Sequence, residues 1–301
     1  MTAAVDQNMR RYHIGEVDVS LTSTVRGIVE EHAALYRGFE VDPAVQRSAA
    51  AIRLSVEPTP FSLVHRRRYI VRVNHRVQFE PARTDEVIPY VEWAINFEVP
   101  HVLPAFLQLH ASSLELGGAG VVLAGESGSG KSTLAAGLLT RGWRYLCDEF
   151  ALINIDTLNL HPYPRAICLK KPSHEAVESL GLTLHGSKHY HKGSKGYVGF
   201  VNARSLGAEA LGRACPVRYV IFPQYRAGAR PELVPLSRPE AVFKLHGVCF
   251  NLLTCHGVGL NVLVGLVRGA RCFRLISGEL GATCDLLEAL MSSRGGLAKS
   301  A

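Results

Sequence analysis

The rhythm of apolar and polar positions changes near residue 100. Upstream, short runs alternate with a period of two over residues 52–57, 69–73 and 76–80, and Pro58, Pro60 and Pro81 interrupt them. Alternation of that period buries one face of a strand, so residues 1–100 read as a small β-rich domain. A helix follows over about 85–97, where Val87, Ile88, Val91, Ala94 and Ile95 recur at helical spacing. Pro100 and Pro104 then mark the crossing into a second region, 101–301.

In that region a strand over 107–116 meets Gly117-Gly118 and then the apolar run Val121-Val122-Leu123-Ala124, the pattern of a hairpin with a buried second strand. A helix of about ten residues, with Leu134, Leu138 and Leu139 on its apolar face, stops at Gly142. Residues 143–147 form a further strand that ends in Asp148-Glu149 and is expected to run beside 121–124. Strands at 151–155, 166–169 and 217–222, a helix over 239–255 and a closing helix at 283–291 complete an α/β fold with a mixed sheet. The Gly-, His-, Lys- and Ser-rich stretch 184–199 reads as a mobile loop, and no internal repeat is present.

Residues 125–132, GESGSGKS, join the buried strand to the helix and fit the pattern G-x-x-x-x-G-K-[S/T]. In such a loop backbone N–H groups cradle phosphates, the lysine reaches the outer oxygens and the hydroxyl ligates Mg²⁺. The expected ligands are ATP and Mg²⁺, held by Gly125, Glu126, Ser127, Gly128, Ser129, Gly130, Lys131, Ser132 and Thr133. Asp148 follows Lys131 by 17 residues, and two adjacent acids allow one to serve the metal and the other a proton. His110, on the strand before the loop strand, is placed to reach Asp148 and adjust its proton affinity.

Two basic groups are further candidates. Arg165, and Lys170 with Lys171, flank a short strand, and an arginine aimed at a transferring phosphoryl group stabilises its charge. The other reading is a solvated basic strand end. His185, Lys188, His189, His191, Lys192 and Lys195 suit a loop closing over phosphates better than a zinc site, since no cysteine lies nearby.

Composition narrows the setting. With 33 Lys and Arg against 26 Asp and Glu, the net charge of +7 suits phosphorylated ligands or an acidic partner. The densest basic run, His65-Arg66-Arg67-Arg68, lacks the interleaved aromatics of a nucleic-acid surface, so no nucleic-acid partner is expected. Seven scattered cysteines without a C-x-x-C pair point to buried thiols in a reducing cytosol. The N-terminal stretch lacks the apolar core of a secretory signal, and no run of 18 apolar residues is uninterrupted; a cytoplasmic protein without a membrane span is expected.

The segment HASSLELGGAGVVLAGESGSGKSTLAAGLLTRGWRYLCDE carries several coincident features. His110-Ala111, Leu114-Glu115, the hairpin, the Gly-rich loop, Arg141-Gly142 and Asp148-Glu149 stand at the spacing of the HPr kinase/phosphorylase catalytic domain, which this chain resembles over roughly 40 residues. The resemblance implies a phosphoenolpyruvate-carboxykinase-like nucleotide domain and transfer of the γ-phosphoryl group of ATP to a serine of a protein or peptide acceptor. It further implies Asp148 as general base, His110 as its partner, Lys131 as phosphate clamp, and Ser132 with Glu149 as Mg²⁺ ligands; an exchange of roles between the two acids stays open. Homo-oligomers occur in that family.

The chain departs from the pattern in having Glu149 where the family has a second aspartate, and it lacks the Gly-rich signature of bifunctional members, so a reverse, dephosphorylating reaction is not expected. Residues 1–100 also differ from that family's usual N-terminal domain. Competing readings are a nucleotide sensor or scaffold, a small-molecule kinase, and a transporter-type ATPase; the last lacks an LSGGQ-like signature here.

Overall fold

The computed structural model describes residues 8–59, 68–186, 189–255 and 257–292. Residues 65–67 of the basic run and Lys188 lie outside them. The chain forms two compact units: Met1–Pro104 with Arg165–Glu178 and Leu182–Ser205, and Ala105–Pro164 with Ser179–Gly181 and Leu206–Ala301. The first unit runs to Pro104 before the first crossing. The first unit, however, also takes back two later stretches.

In the first unit six strands run in the order Glu40–Val41, Met9–Ile14, Val17–Ser23, Ala51–Pro58, Tyr69–Val73 and Arg76–Phe79. Neighbours are antiparallel except Val17–Ser23 with Ala51–Pro58, which are parallel. The helix Thr84–Val102 packs on three of these strands, Ala51–Pro58, Tyr69–Val73 and Arg76–Phe79, and buries Val87, Ile88, Val91, Ala94, Ile95 and Val99. Pro89 stands inside this helix and cannot donate to the carbonyl of Asp85 four residues back; His191 N–H donates to that carbonyl instead, at 3.0 Å. The described part of the 184–199 stretch is therefore anchored rather than loose: Tyr190 is buried, His185 and Phe200 exchange backbone hydrogen bonds, and Val198–Val201 pairs with Ile167–Lys170.

The second unit carries a mixed nine-stranded sheet. The hairpin is as expected, Ala111–Leu116 antiparallel to Ala119–Ala124, and Gly117 and Gly118 both take positive φ (57° and 78°), the backbone a two-residue turn requires. Ala119–Ala124 also pairs in parallel with Cys215–Tyr225, which buries it from end to end. The strand Arg144–Cys147 does not lie beside the loop strand as expected. It pairs with Ala111–Leu116, so the hairpin's first strand is interposed and the helix Lys131–Leu139 crosses over it.

The single strand expected over 107–116 is broken at His110. Phe106–Leu109 pairs with Ala151–Asn154, whereas Ala111–Leu116 pairs with Ala119–Ala124 and Arg144–Cys147. The expected helix 239–255 is also shorter, Arg238–His246, and a second helix, Gly259–Gly269, follows. Between them, residues 248–251 are drawn onto the strand edge. His110 N–H donates to Val248 O at 2.7 Å, Phe250 N–H to Gln108 O at 2.9 Å, and the Asn251 side chain bonds Gln108 N and Phe106 O. Those four bonds outweigh continued helix there.

Ala241, Leu245, Val262, Leu263 and Leu266 close the core with Leu107, Leu109, Val122 and Val220. Five of the seven cysteines are buried. No helix among the described residues is long and apolar enough to cross a membrane.

Candidate active site

The Gly-rich loop leaves the buried strand at Gly125 and enters the helix Lys131–Leu139 with Gly130 as its N-cap. Gly128 and Gly130 have φ of 91° and 97°, a conformation that costs any residue with a Cβ roughly 1–2 kcal/mol. A Cβ built on Gly125 would lie 3.2 Å from Ser129 Oγ, a contact tight enough that the serine would have to give way by a few tenths of an ångström. Lys131 is buried and donates to Gly125 O at 2.7 Å and Glu126 O at 2.8 Å, which folds its ammonium group back over the loop. Glu126, Ser127 and Gly128 are exposed, while Ser129, Gly130, Ser132 and Thr133 are half-buried. Backbone N–H groups at a helix start beside a buried ammonium form an anion site.

Asp148 is 2% exposed, and Ser132 Oγ donates to its Oδ1 at 3.1 Å. Ser112 Oγ donates to the same oxygen. Oδ2 is buried and has no hydrogen-bond partner among the described residues. Burial raises the proton affinity of Asp148 and the neighbouring charge of Glu149 raises it further, against the opposing pull of the Ser112 and Ser132 hydroxyls and Lys131. A bare, buried carboxylate oxygen beside a serine hydroxyl fits a hard divalent cation such as Mg²⁺. Among the described residues no group of three or more His, Cys, Asp or Glu side chains could hold a metal ion.

His110 does not reach Asp148. Its Nε2 lies 3.1 Å from Glu149 Oε2, and both side chains are partly open to solvent, 23% and 29% exposed. The strand break explains the change of partner. Ala151 faces Leu109 and Cys147 faces Ser113, so residues 110–112 and 148–150 occupy the same gap between two pairings. Glu149 has φ of 76°, uncommon for a residue with a side chain, and this turn separates it from the buried Asp148 beside it. Phe250 forms a wall of the site, its ring 5.6 Å from that of His110 and 4.8 Å from that of Phe150. Sequence reasoning missed Ser112 and Phe250; two serines inside an otherwise apolar strand were the signal for the first.

Arg165 and Lys170 belong to the first unit. The expectation that Arg165 meets phosphate is overturned by its partners: it is 4% exposed, its guanidinium pairs with Glu92 and donates to Glu92 O at 2.8 Å. His32 and Tyr36 complete the coordination of that carboxylate. Lys170 ends the strand Ile167–Lys170 and is half-buried. Lys192, of the 184–199 stretch, is buried in the first unit with its ammonium over the ring of Trp93.

No family model matches the chain. It is 34% identical over 89 residues to the HPr kinase/phosphorylase of Xanthomonas campestris pv. campestris (strain B100), which is 29% of this chain and 27% of that protein. It is 35% identical over 82 residues to the HPr kinase/phosphorylase of Xylella fastidiosa (strain M12), 26% of this chain and 25% of that one. The match thus spans about a quarter of the length of these relatives. The HPr(Ser) kinase/phosphatase structure from Coxiella burnetii aligns with 64% of this chain and 95% of its own at 14% identity, with a TM-score of 0.33 too low to bear on the fold. Over 29% of its length the chain is similar to HPr kinase/phosphorylases.

Proposed function

We propose that this chain is an ATP-dependent kinase that transfers a phosphoryl group to a serine hydroxyl of a protein or peptide acceptor. The observation that carries this reading is the separation of its two adjacent acids, Asp148 held by Ser132 beside the loop and Glu149 paired with His110 in a partly open position. A kinase site needs both environments: a buried acid for the metal end of the nucleotide and a reachable one for the incoming hydroxyl. The relatives' printed names, HPr kinase/phosphorylase, support the class of reaction.

In this mechanism the loop amides from Gly125 to Ser132 and the Lys131 ammonium bind and orient the triphosphate. Ser132 and Asp148 would hold Mg²⁺, which supplies charge neutralisation at the phosphate oxygens. Glu149 accepts the proton of the serine hydroxyl as its oxygen forms the bond to the γ-phosphorus. The bond from that phosphorus to the bridging oxygen breaks, and ADP leaves. His110 orients Glu149 through its 3.1 Å contact and shares the charge change on proton uptake. This assigns the proton to Glu149 and the metal to Asp148, the reverse of the family-based expectation.

The test is transfer of label from γ-labelled ATP with Mg²⁺ to serine-containing proteins or peptides, with Glu149→Gln and Asp148→Asn alongside. Label on serine that Glu149→Gln abolishes, with nucleotide binding kept, supports the reading. Nucleotide binding without transfer to any acceptor would leave a sensor or scaffold in its place.

A further inference from the structure

Twelve large apolar side chains are exposed among the described residues, and five of them, Phe243, Phe250, Leu253, Val258 and Leu260, fall within residues 243–260. Chance scatter does not concentrate them so, and a rimmed apolar patch marks a contact surface. Two of the five, Phe243 and Leu260, line a groove of about 450 Å³ between the helices Arg238–His246 and Gly259–Gly269. Val242, Phe243, Leu260 and Val264 form its apolar walls, and the polar side chains that line it are Arg238, His246 and Arg268. Phe243 is 79% exposed and Leu260 55%, so these side chains contribute little to the core of the unit.

The charged side chains that line the groove, Arg238 and Arg268, are both basic. The acid on the same helix, Glu240, is turned onto its own N-cap, accepting from Ser237 N–H at 3.0 Å and Ser237 Oγ at 2.6 Å. A ligand that fills the groove with apolar side chains therefore meets two arginines at its edge, and acidic flanks complement them. A groove between two helices takes one apolar face of an amphipathic segment.

The groove also leads towards the candidate site along the chain. Its first helix ends at His246, and Val248 and Phe250 follow at once, the one accepting from His110 N–H and the other with its ring tilted against that of His110 at 5.6 Å. We infer that the groove between Arg238–His246 and Gly259–Gly269 docks an amphipathic segment of the protein acceptor with an apolar face and acidic flanks, holding the acceptor while its serine enters beside Glu149 and His110. The word acceptor rests on the kinase reading; the docking itself does not.

Peptides from a random display library are selected on the full chain without nucleotide, and the best binder is measured by fluorescence anisotropy. The expected winners combine apolar residues at helical spacing with Asp or Glu. Their affinity falls at least about tenfold in Phe243→Glu and in the double variant Arg238→Glu, Arg268→Glu, and it falls with added salt. Phe243 is exposed, so the fold tolerates that change, and an unchanged melting temperature verifies it. No enrichment, winners without acidic residues, or binding indifferent to Phe243→Glu overturns the docking. So does displacement of the peptide by dodecanoate at equal affinity, which would make the groove a small-molecule site. Peptide binding that persists while no acceptor is ever phosphorylated retains the docking surface and removes the kinase, so the two failures differ.

Discussion

His110 Nε2 lies 3.1 Å from Glu149 Oε2, although Asp148 is the acid that a strand-by-strand reading places opposite the histidine. The pairing follows from the shared strand break at 110–112 and 148–150 and from the left-handed backbone of Glu149.

Exchange of the two acids for their amides gives different losses. Glu149→Gln lowers the transfer rate by about 10²–10⁴, the usual contribution of a positioned base, and leaves nucleotide affinity near wild type. Asp148→Asn instead weakens Mg²⁺-dependent nucleotide binding. Single-turnover transfer with equilibrium binding separates the two, and a wild-type transfer rate in Glu149→Gln returns the proton to Asp148.

Stability responds to pH through Asp148. Its folded proton affinity is raised above the ordinary value of 3.8 by burial and by Glu149. A raised value means the unfolded chain gives up the proton first, so the stability associated with protonated Asp148 is full below pH 3.8 and is lost as pH rises from there through the folded value. Without Mg²⁺ or nucleotide, Asp148→Asn therefore melts at a higher temperature than wild type at neutral pH, and the gap closes below pH 3.8. Thermal scans in a chelator at several pH values check this; equal melting temperatures at neutral pH contradict it.

Lys131→Ala removes the ammonium that folds over the loop at Gly125 O and Glu126 O. Transfer falls by at least about 10²–10³, the loss typical of deleting one charge-stabilising donor. Turnover close to wild type would detach the loop from the chemistry.

Glu92→Gln tests the assignment of Arg165 as structural. Burial alone would raise the proton affinity of Glu92, yet Arg165 and His32 outweigh it and hold the carboxyl at about 2. The folded value is depressed, so its stabilisation is present above 4.5 and is lost as pH falls towards about 2. Removing that charge leaves Arg165 buried without its counter-ion and costs about 3–5 kcal/mol at neutral pH in denaturant unfolding. Nucleotide affinity stays unchanged, and a specific loss of it would return Arg165 to the phosphate site.

Local chemistry was legible wherever neighbours in sequence are neighbours in space. The turn at Gly117-Gly118 needs only two residues tolerant of positive φ, and the loop from Gly125 to Ser132 carries its own backbone requirements within eight positions. The helix Thr84–Val102 announced itself by apolar spacing, and it runs past the expected end to Val102. The helix Arg238–His246 shows the opposite case. Residues 248–251 are weak helix formers without a breaker among them, and a strand edge 143 residues away in sequence takes their hydrogen bonds.

By itself the sequence determined that a Gly-rich loop joins a buried strand to a helix, that a double acid ends a later strand, and that the segment holding both resembles HPr kinase/phosphorylases. Only the tertiary structure decided which acid His110 meets, that Ser132 meets the other, and that Arg165 is a buried partner of Glu92. Periodicity and spacing encode contacts within a few residues. The choice among distant partners depends on burial and on where a strand changes neighbours, as at His110 and Glu149, and these arise only when the whole unit packs.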